Sequence, residues 1–394
     1  MGLFIWAVVV AVLVVTGPKE WTRLRQDLVA RLLLAFAVVG ALSLPIGIAM
    51  FHNLDGPRSF VYQVALLLNF ATGYLILRKL DDVDLFIRAF VASIGAMALP
   101  LSIYLLRAGI LEDVHGFHNS DALKAAIYGW PNGFSILIVV ALVMCLYVIF
   151  TATTRPVRGA YFVFAIGLSA CVILTFSKTG WVALAIALWP LRLRLWSVWR
   201  QLLLVAGVAA ILFVLEQVNS NFRETIVNLG TFLERLRIGA IVLRHINPII
   251  LLTGSGSQNV QAFLAPYANE LVEPGLSLAG LSAHDELLNV LVKTGLLGLA
   301  LLLIVLVIVT LRARRLAKGA DSRIAQLSHY WYAASWAVIA SLFTVDELHY
   351  WPVGAVFWMM GGAMVHLLAH AQAQSELIAV PDDEADGVLE ERTS

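Results

Sequence analysis

Long apolar runs, interrupted by short polar breaks, recur along the whole chain. They cover about residues 3–16, 29–50, 60–77, 84–108, 132–151, 160–176, 180–191, 202–218, 294–311, 329–345 and 350–370. Each is long enough, or nearly so, to cross roughly 30 Å of hydrocarbon as a helix, because a helix rises about 1.5 Å per residue. The pattern predicts about eleven membrane-spanning helices, with ten to twelve as the range. One stretch has a different period: Phe222, Ile226, Leu229, Phe232 and Leu236 recur at helical spacing amid polar residues, which predicts an amphipathic helix lying along the membrane.

Composition agrees with the pattern. The 394 residues are 60% hydrophobic and only 13% charged, with a mean hydropathy of +0.85, against roughly 25% charged in an average soluble domain. A net charge of +1 supplies no field for nucleic acid. Cys145 and Cys171 both lie in apolar runs and read as packing residues, so no disulfide framework is expected. The segment from Met1 to Thr16 lacks a basic start and a small-residue cleavage site, and reads as a retained first span rather than a signal peptide.

Charge distribution gives the expected orientation. Basic residues gather in alternate loops: Lys19, Arg23, Arg25 and Arg31; Arg78 and Lys79; Arg155 and Arg158; Arg192, Arg194 and Arg200; then Arg312, Arg314, Arg315, Lys318 and Arg323. By the positive-inside rule these loops are cytoplasmic. The stretches 51–59, 109–131, 177–180 and 219–293 are then outside, and 219–293 is the one large extramembrane portion. The expected organisation is a single membrane domain over 1–371 and an acidic, disordered cytoplasmic tail over 372–394, which carries Asp382, Asp383, Glu384, Asp386, Glu390 and Glu391.

The candidate chemistry sits in the outer segments. Lys178, in Thr175-Phe-Ser-Lys-Thr-Gly-Trp181, departs from the positive-inside pattern and fits either snorkelling to headgroups or binding of an anion. Arg235, Arg237 and Arg244 stand where positive charge is otherwise scarce, and guanidinium groups match phosphate oxygens two at a time. Gly254 and Gly256 follow in a Gly-x-Gly that fits a plain turn or a close backbone approach to a ligand. His284, beside Asp285 and Glu286, opens a segment with Leu287, Leu288 and Leu291 on one helical face, continuing into an apolar run. No second histidine stands at ligand spacing from His284, so no metal and no cofactor are expected. Pro131-Asn132 suits a helix start, and Asp346, Glu347 and His349 form a polar turn on the same outer side.

Taken in order, His284-Asp-Glu-Leu-Leu with Thr294-Gly295-Leu-Leu-Gly298 resembles the signature of the O-antigen ligase and O-antigen polymerase superfamily, in which a His opens a span. Pro131-Asn132, Ser177-Lys178-Thr179, and Arg235 followed by Asn247-Pro248 and Gly254-Ser-Gly256 resemble further segments of that family, together covering about residues 128–303. Two positions depart from its pattern: Lys178 stands where the family has an arginine, and Asp285 where it usually has Asn. Arg235 and Arg237 both compete for its second arginine.

The resemblance implies an all-helical, GT-C-like membrane glycosyltransferase. Its donor would be a glycan linked to polyprenyl (undecaprenyl) diphosphate, used on the periplasmic face of a bacterial inner membrane. The acceptor would be the lipid A core for a ligase, or another lipid-linked glycan for a polymerase, in lipopolysaccharide, capsule or exopolysaccharide synthesis. His284, Arg235 and Lys178 would be catalytic. Arg237, Arg244, Asn132, Gly254, Gly256, Asp285, Glu286 and Glu347 would contact substrate, with inversion at the anomeric carbon and no metal. Two other classes compete. A transporter or flippase would place ionisable groups near mid-membrane or in broken paired helices, and a non-catalytic assembly protein would leave the His and Arg dispensable.

Overall fold

A computed structural model describes residues 18–51, 56–106, 131–175, 177–195, 230–256, 263–267, 270, 285–318, 322–343 and 351–378. These form twelve α-helices and one short 3-10 turn, with no strand among the described residues. The helices are α1 Pro18–Gln26, α2 Leu28–Phe51, α3 Gly56–Ile76, α4 Leu80–Leu106, α5 Pro131–Thr151 and α6 Arg155–Leu174. They continue with α7 Lys178–Leu195, α8 Gly230–His245, α9 Pro248–Thr253, α10 Glu286–Leu316, α11 Ser322–Ser341 and α12 Trp351–Ile378.

The bundle is built around α5. This helix is apolar on every side, so no face of it gains by meeting solvent, and 83% of its most apolar stretch is buried. Helices α4, α6, α7, α11 and α12 pack around it. A second group is attached through α12, which lies along α3, while α2 joins α3 to α10. Both cysteines are buried and unbonded to each other, as packing residues should be.

Where α3 meets α12 the two backbones touch. A Cβ placed at Gly73 would run into the carbonyl of Met359, and one at Gly362 into the carbonyl of Phe70. Lipid supplies no hydrophobic force between helices, so contact of this kind relies on small residues that let main chains approach.

The basic loops converge at one end. Arg312 of α10 meets Asp27 at 2.8 Å, ahead of α2, and the same carboxylate caps that helix through the amides of Val29 and Ala30. Arg323 of α11 pairs with Asp81 and with buried Asp84 on α4, and the Tyr147 hydroxyl of α5 donates to Asp84 at 2.5 Å. Arg78 reaches Glu20 of α1 at 3.7 Å. Charge buried in this way is tolerable because each carboxylate has donors, and the loops grouped by sign in the sequence are also grouped in space.

Nine of the eleven expected spans coincide with helices α2–α7 and α10–α12, while 3–16 and 202–218 lie outside the described residues. Among the described residues six helices are long and apolar enough to cross a membrane: α2, α4, α5, α6, α10 and α12. Of the expected amphipathic helix, Phe222, Ile226 and Leu229 lie outside the described residues, and the described part is turned differently. Helix α8 starts at Gly230 and buries Ile238, Ile241 and Val242, whereas Leu236 is exposed. Helix α12 runs on to Ile378, so residues 372–378 continue it, and residues 379–394 of the acidic tail lie outside the described residues.

Gly73→Leu is expected to separate α3 from α12 and cost more than the ~1–3 kcal/mol usual for overpacking, because the obstacle is backbone. Size-exclusion chromatography in detergent checks it. Gly159→Leu, at a position with open space around its Cβ site, should leave the protein monodisperse.

Candidate functional site

At the end opposite the basic loops lie three polar structures. The first joins α5 to α7. The Ser177 hydroxyl donates to Asn132 Oδ1 at 2.8 Å and accepts the Gly180 amide at 3.2 Å, while the Ser135 hydroxyl lies 2.6 Å from the Asn132 carbonyl and 3.0 Å from Ser177 Oγ. Ser177 therefore caps α7, satisfying one of the amides that a helix start leaves open. Lys178, half-buried, is the first residue of that helix. The Pro-Asn and Ser-Lys segments, 45 residues apart in sequence, are thus one unit.

The second structure is the start of α10. The Asp285 carboxylate accepts the Leu288 amide at 3.0 Å and caps the helix. Glu286 is 1% exposed and its amide donates to the Leu342 carbonyl at 2.9 Å, which ties the start of α10 to the end of α11. Both carboxylates sit at the positive end of a helix dipole, where negative charge is favoured. Asp285, a substrate contact by the resemblance, caps α10 in the structure.

The third is a backbone crossing. Helix α10 breaks at Gly295, with φ 70° and ψ −174°, and the residue after α9, Gly254, has φ 78° and ψ 168°. This part of the backbone map is essentially open to glycine alone. The two meet: a Cβ on Gly254 would strike the Lys293 carbonyl, and one on Gly295 the Leu252 carbonyl. A broken helix leaves carbonyls without their usual amides, and the second strand of chain supplies replacements. Ser255 donates its amide to the Val292 carbonyl at 2.7 Å and Gly256 donates to Lys293 at 3.1 Å. The Ser255 hydroxyl reaches Val292 as well, at 2.9 Å. On its far side Gly256 faces Ser43 and Gly47 of α2.

Helix α8 is held over this crossing by a small apolar cluster of Ile238, Ile241, Val242, Ile250, Phe263, Leu264 and Val292. The arginine helix and the start of α10 are therefore packed together. Arg237 and Arg244 are exposed. Arg244 lies 3.6 Å from Glu270, which also meets His245 at 3.0 Å, and the His245 ring stacks on Tyr267 with centroids 3.9 Å apart.

Of the residues singled out in the sequence, Asn132, Lys178, Gly254, Gly256, Asp285 and Glu286 lie at this one end. The glycines make their close approach to the chain's own α10 and α2. Arg235 belongs to α8, and only its backbone is described. His284 and Glu347 lie outside the described residues. Sequence reasoning passed over two polar residues here. Ser135 stands one helical turn after Asn132, and Asn289, 3% exposed, one turn after Asp285. Recurrence of polar residues at i+3 and i+4 in otherwise apolar runs was the available signal. No group of three or more metal-ligating side chains occurs among the described residues.

This arrangement, a bundle of apolar helices with its polar, tightly bonded residues at the end away from the basic loops, defines a multi-pass membrane protein. Residues 160–303 match the family model described as O-antigen ligase, a match that supports assignment to that membrane glycosyltransferase-type family. The matched region runs from α6 into α10 and includes Lys178, Arg235, Gly254, Gly256, His284, Asp285 and Glu286. A family with this description implies a lipid-linked glycan as substrate. No curated protein matches the chain.

Gly295→Ala should disrupt the crossing, adding roughly 1–3 kcal/mol of backbone strain to a steric clash. A lowered thermal midpoint in detergent, larger than that of Gly239→Ala in the open surroundings of α8, is the expected result.

Proposed function

We propose that this protein transfers a glycan from polyprenyl diphosphate to an acceptor hydroxyl, on the outer face of a bacterial inner membrane, as an O-antigen ligase with the lipid A core as acceptor. The reading is supported above all by one observation. The segments carrying Lys178, the arginines of α8 and Asp285 share one end of the bundle, opposite the end where Arg312 and Arg323 are paired. If the basic end is cytoplasmic, the polar end faces the periplasm.

In this mechanism the bond from the anomeric carbon to the diphosphate breaks as the acceptor oxygen attacks, and negative charge grows on the leaving phosphate. Lys178 and Arg235 stabilise that charge, a role in which loss of one donor costs on the order of 10²–10³ in rate. Arg235 is preferred to Arg237 on the resemblance, in which the arginine stands ahead of Asn247-Pro248 and Gly254-Ser-Gly256. His284 accepts the proton of the acceptor hydroxyl, as an imidazole with an ordinary pKa of about 6.5 is suited to do. It precedes Asp285, whose capping bond fixes where α10 begins. Attack opposite the leaving group inverts the anomeric centre, and the two cations take the part a metal would otherwise play. Asn132 and Ser177 hold the Lys178 turn. Glu347, Arg237 and Arg244 remain outer-side candidates for substrate contact.

His284→Ala and Arg235→Ala are each expected to abolish glycan transfer while the protein stays in the membrane at normal levels. Lys178→Arg should retain transfer and Lys178→Ala should not. Glycan display on a gel, from cells lacking the protein and complemented with each variant, tests this. Full-length lipid-linked chains accumulating without transfer to lipid A core support the ligase; single repeat units alone would mean a polymerase; an unchanged pattern would favour transport. Orientation has its own check, since Val260→Cys should react with a membrane-impermeant thiol reagent added outside, and labelling only after permeabilisation would invert the topology.

A further inference from the structure

Between α10 and α11 runs a groove of about 290 Å³ whose walls are aliphatic and aromatic side chains, with Arg314 as its one charged lining residue. It opens sideways: Val307, Leu311 and Trp336, all lining it, are 55%, 43% and 41% exposed. In a bundle this face meets lipid chains rather than water. The groove is asymmetric in charge. Its upper end, toward the polar site, is lined by Leu287, Leu342 and Phe343, which offer nothing to an anionic head group.

The lower end reaches the basic loops, where the cations are unequally engaged. Arg312 is held by Asp27 and Arg323 by Asp81 and Asp84. Arg314 is exposed, forms no ion pair with any acidic group among the described residues, and sits at the mouth of the groove. Arg315 and Lys318 are exposed nearby without lining it. An apolar trough with an exposed guanidinium at one end matches an amphiphile whose chain is apolar and whose head is a phosphate, since guanidinium pairs with phosphate oxygens through two parallel bonds.

We propose that this groove holds one acyl chain of an anionic phospholipid from the leaflet at the basic end, with the lipid phosphate on Arg314. Its chain lies against the side of α10, reaching toward Leu287, two residues from the Asp285 cap. The lipid therefore fills the seam between the helices that the Glu286–Leu342 bond joins above.

The test is native mass spectrometry of the full-length protein in a neutral detergent, with equal amounts of phosphatidylglycerol and phosphatidylcholine added. Phosphatidylglycerol should be retained preferentially. Arg314→Gln should weaken its retention about fivefold, the factor expected for one basic side chain at an anionic lipid, Arg314→Lys should weaken it less, since it keeps the charge and loses the two parallel bonds, and Arg315→Gln should leave it nearly unchanged. Val307→Trp, which blocks the groove, should remove the bound lipid, and Leu303→Trp provides a second blocking variant should the first not fold. Equal retention of the two lipids, or equal loss from Arg314→Gln and Arg315→Gln, would overturn the proposal. So would displacement of the phospholipid by polyprenyl phosphate with no effect of Arg314→Gln, which would give the groove to the donor chain.

Discussion

A helix broken inside or near hydrocarbon must find partners for the peptide groups it releases, because lipid offers none and each orphan costs several kcal/mol. Here the break at Gly295 is answered by the amides of Ser255 and Gly256, from a segment about 40 residues earlier in the chain. Much of the polar end follows from that exchange. It fixes the loop after α9 against α10, places α9 beside the same helix, and gives α8 an apolar platform on Val292. The two glycines allow it, since any side chain at Gly254 or Gly295 would meet a carbonyl across the crossing.

The other end is arranged by charge. Asp27 serves both a helix cap and Arg312, and Asp84 serves both Tyr147 and Arg323. Breaking one side of such a buried pair is costlier than never having it, because the remaining charge is left without compensation. These carboxylates keep five helices in register, while the bundle's middle is held mainly by apolar contact. The polar end is thereby free to use its hydrogen bonds for local shape.

Much of the fold was legible because a membrane imposes one rule on sequence, a long apolar run, and nine such runs became helices. The helix start at Pro131 was legible too, from its Pro-Asn residues. The face of α8 was not. In its described part Ile238, Ile241 and Val242 are turned inward because Val292 and Phe263 cover them, which no local pattern records. At the polar end, residue types left the roles ambiguous. Asp285 could cap or bind, and a capping bond to Leu288 is what distance reveals. Gly254-Ser-Gly256 looked the same whether it cradled a ligand or its own chain, and the partner backbone that decides, at Lys293 and Gly295, is remote in sequence.

The bond between Asp27 and Arg312 joins groups 285 positions apart. At translation rates of about 5–20 residues per second, the second appears roughly 15–60 s after the first. Throughout that interval α2 is already made and its cap carboxylate has no guanidinium to meet, so it must rest among headgroups until α10 arrives. The contact between α2 and α10 can therefore close only after α10 is made, and the nascent bundle stays open on that side until then.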